Sequence, residues 1–469
     1  MEKSTQAGPR RVLSLFDAIC IIVGTIIGAG IFKAAPLIAK STNGFAELIG
    51  LWIFGGLITI AGALCFAELT TRFPNLLGGD YGFLKLAFGK TVGFLFAWAT
   101  FWIIRPGNMG AMAITFAIYF SQMLYGKEGG GNSSIEWFAV AAVVALSLIN
   151  LVGLKKGTWI QNILTLTKIL GLVLIFILGC VAPVDQQEIW QTDVAGAKAN
   201  WLLAMVFIMF SFGGWNDLSF VAAEIKQPQK NLFRALVFGT LTVTSLYLLA
   251  NVAFALALGF EGMVETETVA TDVVRHAFGA ESSLGQRGAQ IVAALICISC
   301  LGAINGIIIT SPRIYHAAGR DYRMLRMLGH WSESSGQPWI ATALQAVVTI
   351  GLFCLCFQFD DPFEVIIVVS APFFWTFLGL VGIALIVLRV RIKDATGFRT
   401  PLYPLEPLIL TVSCFAMAYS SAKHVFDEGY FTAAAIVTGL MVLGLLFGLT
   451  LRPETQNEVE SDAINSHKS

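Results

Sequence analysis

The chain reads as an all-α integral membrane protein of twelve transmembrane helices: two five-helix halves related by inversion, with broken helices 1 and 6, plus two extra C-terminal helices. Three observations lead there. Apolar residues make up 56% of the 469 and charged residues only 13%, with a mean hydropathy of +0.74, whereas soluble domains run at roughly 45–50% and 25%. Apolar runs follow one another at 13–39, 45–69, 91–124, 136–152, 158–182, 200–224, 232–259, 288–315, 338–358, 363–388, 404–424 and 430–451, most of them near the ~20 residues that cross a hydrocarbon core. The first and sixth runs each carry a glycine-rich interruption at mid-depth. Five is an odd number of crossings, so the second half is inverted relative to the first.

The first run is organised around GTIIGAGIF, Gly24 to Phe32. Its glycines Gly24, Gly28 and Gly30 each cost about 1 kcal/mol against alanine inside a helix. Unpaired backbone is tolerated in lipid only where it is buried in protein or lines a cavity. A break here aims free N–H groups and the positive end of a half-helix at an anionic ligand. The plain alternative is that Gly24 to Gly28 forms a GxxxG packing face with no ligand. A second break argues against that alternative. The sixth run holds Phe210, Ser211, the pair Gly213 and Gly214, Asn216 and Asp217 at mid-depth, and two breaks in corresponding positions fit a binding site better than packing.

Between the breaks, Glu68 ends the second run near the inner surface. In the third, Arg105 precedes Pro106, whose missing N–H frees a carbonyl and kinks the helix. Arg105 is expected to bridge to such a carbonyl or to an acidic residue, not to substrate. Lys168 sits in the middle of the fifth run, where an ionisable group marks function by default. After the sixth, Glu224 to Arg234 reads as an acidic helix end, a Pro228 stop and a basic restart; Glu224, Glu68 and Arg313 are either inner-gate partners or solvated helix ends.

Lysines and arginines set the orientation. With the N-terminus inside, only Lys40, Lys127, Lys198, Arg275, Arg287 and Lys423 fall outside, and Lys33, Arg105 and Lys168 remain at membrane depth. Both termini are therefore expected in the cytoplasm, with the protein in the plasma (inner) membrane. The expected segments are a cytoplasmic tail (1–12), a first repeat (13–182), a second repeat (200–388), the extra pair (404–451) and a disordered tail (452–469). No signal peptide is apparent. None of the eight cysteines lies in the outer loops at 125–136, 183–199 or 259–288, so no disulfide framework is expected. Cys297 and Cys300 have metal-ligand spacing but stand alone, which favours helix packing. Asn132 opens a glycosylation sequon on the outer side. No HExxH, GxSxG or acidic pair within a run points to an enzyme, and no metal, cofactor or nucleic acid is expected.

These residues carry a resemblance. The first run is similar to the G-[ST]-I-I-G-[SA]-G-I-F signature of the amino acid–polyamine–organocation superfamily. AEL at 67–69, GGDY at 78–81, IIRP at 103–106, QNILTLTK at 161–168, FGGWN at 212–216 with Glu224, and NG at 305–306 through Arg313 resemble its L-type amino acid transporter branch, in order from about residue 13 to the twelfth run. The resemblance implies the superfamily's five-plus-five fold and an amino acid transporter working by alternating access. It implies a substrate site at Thr25, Ile26, Ile27, Gly28, Ala29, Gly30, Phe210, Ser211, Gly213, Asn216, Phe374 and Trp375. Amides of Gly28, Ala29 and Gly30 hold the α-carboxylate. Carbonyls of Ile26 or Ile27 and of Phe210, Ser211 and Gly213 accept from the α-ammonium. Phe210 is the aromatic gate; Asn216, Phe374 and Trp375 shape the side-chain pocket, favouring neutral, apolar or aromatic substrates. Many relatives have Ser at Ala29, whose hydroxyl is lost here. Lys168 stands where sodium-coupled relatives bind an ion, which makes sodium unnecessary; it acts either as a fixed cation or, through burial, as a proton carrier.

Lys33 and Asp217 depart from the branch pattern. Either one meets a substrate side chain, Asp217 a cationic one or Lys33 an anionic one, or both face water in the vestibules. Sodium-independent exchange or uptake of neutral amino acids is the expected function. Proton symport through Lys168 is the first alternative, with polyamine or cationic amino acid antiport and a transporter-like sensor behind it. Animal members of the branch join a heavy chain through a cysteine in the loop after the third run. Tyr125 to Glu136 has none, so no disulfide-linked heavy chain is expected, as in microbial stand-alone members.

Overall fold

A computed structural model describes residues 11–450 apart from 29, 126–131, 152–153, 182–183, 191, 193–198, 267, 333–336, 360 and 394–396. The expected tail 452–469, most of the N-terminal tail, Ala29 and the side chain of Asn132 lie outside the described residues. Among those described the chain is helical, with isolated bridges and no strands. Helix α1 (Leu15–Ile26) is followed by a π turn (Gly30–Ala34), α2 (Ala35–Lys40), α3 (Phe45–Arg72), α4 (Asp80–Phe88) and α5 (Lys90–Ala99). A second π turn (Thr100–Ile104) leads into α6 (Arg105–Tyr125), α7 (Asn132–Leu151), α8 (Leu154–Val181), the short α9 (Gln186–Ile189) and α10 (Trp201–Ser211). A 3₁₀ helix (Trp215–Glu224) precedes α11 (Pro228–Glu265), α12 (Val269–Phe278), α13 (Ser283–Thr310) and α14 (Pro312–Asp321). Beyond a 3₁₀ turn (Arg323–Gly329) come α15 (Trp339–Cys356), α16 (Pro362–Arg391), α17 (Leu405–Asp427) and α18 (Phe431–Leu449).

Eleven stretches among the described residues are long and apolar enough to cross a membrane. The run expected at 91–124 is not one of them. It folds as α5, a π turn and α6, where Arg105, Asn108 and Gln122 lower the hydropathy. The π turn is what Pro106 requires: the widened turn, with the Arg105 N–H bonded to Thr100 O, absorbs the missing donor. Leu170 and Val181 of α8 and Leu446 and Leu449 of α18 are exposed on the outside, the kind of surface lipid covers.

Both glycine clusters interrupt their helices. Helix α1 begins with a capping box in which Ser14 accepts from the Asp17 N–H while the Asp17 carboxylate accepts from the Ser14 N–H. It stops at Ile27, whose ψ of 94° is extended. Helix α10 stops at Phe212, and the chain restarts as a 3₁₀ helix after Gly214 at φ +113°. Packing brings the two interruptions into contact. A Cβ on Gly30 would lie 2.6 Å from Ser211 Cα, and one on Gly214 would lie 3.1 Å from Thr25 C.

Gly214→Ala is expected to destabilise the purified protein by about 1–2 kcal/mol, because its left-handed φ admits a Cβ only with strain. Gly50→Ala, which meets nothing within 4 Å, should leave the melting temperature unchanged or raised. Equal melting temperatures for the two variants would contradict the close approach of the breaks.

Candidate binding site between the two breaks

The cavity at the breaks is lined by Thr25, Ile26 and Gly30 from the first and by Phe210, Ser211, Gly213 and Gly214 from the second. Phe374 and Trp375 of α16 close one wall; Arg105, Asn108 and Met112 of α6 close another, with Asp217. Phe210 meets Phe363 edge to face at 6.1 Å.

Three side chains supply donors to backbone that the breaks set free. Lys168, 3% exposed, donates its ammonium to the carbonyls of Gly24 and Ile27. Ser299 Oγ reaches the same Ile27 oxygen at 3.2 Å. Tyr247 of α11 places its hydroxyl 2.9 Å from Ile26 O and 3.0 Å from Ser211 O. One hydroxyl proton thus serves two carbonyls, one from each break. Trp52, Phe212 and Tyr247 pack against each other and fix that ring.

A charged cluster sits beside the cavity. The Arg105 guanidinium donates to both Asp217 oxygens at 2.8 and 2.6 Å and lies 4.9 Å from the centre of the Phe220 ring. Thr310 Oγ1 lies 3.1 Å from the same carboxylate. Beside the cluster, Asp80 at the start of α4 accepts from Asn216 Nδ2 at 2.9 Å and Ser219 Oγ at 3.0 Å. Burial pushes the Asp80 carboxyl up to about 7, against the lowering effect of Asn216, Arg105 and Ser219.

The structure brings most, but not all, of the residues expected at the site to one cavity. Thr25, Ile26, Gly30, Phe210, Ser211, Gly213, Phe374 and Trp375 line the cavity. Ile27, Gly28 and Asn216 are buried but do not, and Ala29 is outside the described residues. The Ile27 carbonyl is already engaged by Lys168 and Ser299, and Asn216 is turned to Asp80. Asp217 does not face water: at 1% exposure it is held by Arg105 and Thr310. Lys33 is half-buried in the first π turn and does not line the cavity. Arg105, which the sequence reading kept away from substrate, lines it. The sequence signal is that buried charges come in pairs, which calls for a partner for Asp217 among Lys33, Arg105 and Lys168 without choosing one. No such signal exists for Tyr247.

At the ends of the 3₁₀ helix and of α3, the acidic residues are buried in pairs instead of solvated. Glu224 accepts from Arg313 Nε at 2.7 Å and Nη2 at 3.2 Å. Glu68 accepts from Arg72 at 2.9 Å and from the Thr400 N–H at 2.8 Å, and Arg389 lies 3.3 Å away.

Comparison with known proteins gives concordant matches. The family described as amino acid permease matches residues 13–450. The mouse (Mus musculus) b(0,+)-type amino acid transporter 1 is 27% identical over 94% of this chain and 90% of its own length. The serine/threonine exchanger SteT of Bacillus subtilis (strain 168) is 27% identical over 95% of this chain and 98% of its own. The rabbit (Oryctolagus cuniculus) large neutral amino acids transporter small subunit 2 is 34% identical over 66% of this chain and 58% of its own.

Two outcomes test the geometry. Tyr247→Phe is expected to lower stability by about 1 kcal/mol, the net worth of a buried hydrogen bond. Lys168→Met is expected to lower it further, because two carbonyls lose a charged donor; an unchanged melting temperature would mean those carbonyls have other donors. The second test is pH. A carboxyl whose pKa is higher folded than unfolded makes the native state hold more protons, so its contribution falls as pH rises from about 4 to about 7 and then levels. Asp80→Asn should remove that decline from melting curves; identical pH profiles would contradict the burial of Asp80.

Proposed function

The chain belongs to the amino acid permease family of multi-pass membrane proteins, and on that premise we propose that it moves a neutral L-amino acid by alternating access, without sodium, by exchange or uptake. The α-carboxylate is held by the amides following the first break, and the α-ammonium by carbonyls of Ile26 and the second break. The observation carrying this reading is Lys168, whose ammonium occupies the Gly24 and Ile27 carbonyls beside the cavity. A fixed cation there takes the place a coupling ion would otherwise fill.

The proposal includes twelve crossings in two inverted five-helix halves, 13–182 and 200–388, with 404–451 added, both termini cytoplasmic and the protein in the plasma membrane without a heavy chain. The buried pairs Glu224–Arg313 and Glu68–Arg389, each joining two different elements, then close the inner side and part as the site opens inward. A second reading, proton symport, is favoured by the deep burial of Lys168 with no carboxylate in hydrogen-bond reach among the described residues. Polyamine or cationic substrates are disfavoured because the cavity's carboxylate, Asp217, is already paired.

The test is uptake of labelled amino acids into proteoliposomes, sodium-free, with and without the same amino acid inside, and separately under an inward proton gradient. Uptake that requires internal substrate and ignores sodium and pH is the expected result. Uptake into empty vesicles driven by protons replaces exchange with symport, and no flux of any amino acid under either condition overturns the transport reading in favour of a sensor.

A further inference from the structure

The cavity wall formed by α6 and the 3₁₀ helix is charged yet balanced. Arg105 and Asp217 both line it, joined by two hydrogen bonds at 2.8 and 2.6 Å, and each is nearly inaccessible to solvent. Thr310 Oγ1 lies 3.1 Å from the carboxylate, so most of its acceptor sites already face groups inside the protein. The guanidinium engages through its two terminal nitrogens, and its Nε has no hydrogen-bond partner although buried. Asn108, also on this wall, adds an amide. Asp80, the other carboxyl of the cluster, is engaged by Asn216 and Ser219 and does not line the cavity.

From this we infer that the Arg105–Asp217 pair fixes the substrate class, selecting an uncharged polar side chain that presents a hydrogen-bond acceptor and excluding both carboxylates and ammonium groups. The inference rests on the transport reading and sharpens it. A substrate carboxylate would have to displace Asp217 from Arg105 or sit beside it as a second buried anion. A substrate ammonium would meet the guanidinium, with Asp217 already occupied. Leaving either charge buried and unmatched is strongly unfavourable. A side-chain hydroxyl or amide oxygen instead accepts from the Asn108 amide on this wall, and from the unpartnered Nε when the guanidinium turns toward it, without breaking the pair. Asp217 is then an internal counterion, and removing it exposes a cation that an acidic side chain can neutralise.

The experiment compares exchange of labelled serine, glutamine, glutamate, lysine and leucine in proteoliposomes. The wild type is expected to favour glutamine over glutamate by about a hundredfold or more, the discrimination a misplaced buried charge produces. Asp217→Asn is expected to raise glutamate exchange about tenfold or more while lowering that of glutamine. Adding Arg105→Gln to that variant should abolish the gain. Equal glutamine and glutamate exchange by the wild type overturns the inference, as does exchange of leucine without glutamine or serine; these hold even if the variants fail to fold. A folded Asp217→Asn protein that exchanges neutral amino acids but gains no glutamate also overturns it. A wild type that exchanges no amino acid fails the transport reading instead.

Discussion

Opening two helices at mid-membrane depth releases backbone groups that no bulk water can satisfy, and the rest of this structure depends on how they are met. Each unsatisfied group would cost several kcal/mol in a dry environment. The donors come from helices packed around the breaks: Lys168 on α8, Ser299 on α13 and Tyr247 on α11. Thr25 adds a hydroxyl 3.2 Å from Gly214 O, tying one break to the other. The breaks are therefore stable only as parts of a bundle, and the donors that stabilise them also surround the cavity.

The same economy governs the charges. A buried ion pair offsets its desolvation only when geometry and extra hydrogen bonds are good. Arg105–Asp217 has two hydrogen bonds within the pair, a third to Thr310 and the Phe220 ring beneath. Glu224–Arg313 and the Glu68 cluster repeat the arrangement at the ends of the 3₁₀ helix and of α3. Asn216 and Ser219, on the 3₁₀ helix that also carries Asp217, hold Asp80 at the head of α4. A displacement of the 3₁₀ helix thus bears on the cavity wall and on the α4 end together, a physical link between the two.

How much was legible in the sequence differs by feature. Glycines at 28, 30, 213 and 214 located both interruptions, whereas Gly24 stays inside α1, where a Cβ would lie 2.1 Å from Gln161 Nε2. Apolar periodicity located the helices; the third run is helical from 90 to 125, with a π turn that takes up Pro106 and polar residues that lower its hydropathy. Membrane depth singled out Lys33, Arg105, Lys168 and Asp217 as charges needing explanation. It did not say which would pair.

Chain order and composition by themselves determined that this is a helical membrane protein, that two helices break, and which residues flank the breaks. These are local properties, fixed by hydropathy, glycine conformational freedom and proline's missing donor. Tertiary structure alone decided that Arg105 and Asp217, 112 positions apart, share two hydrogen bonds, and that Asn216 turns from the cavity to Asp80. It alone decided that Tyr247 serves one carbonyl from each break. Such partners are chosen by the rotation of each helix about its axis, and that rotation is set by packing among many residues, which no single stretch of sequence encodes.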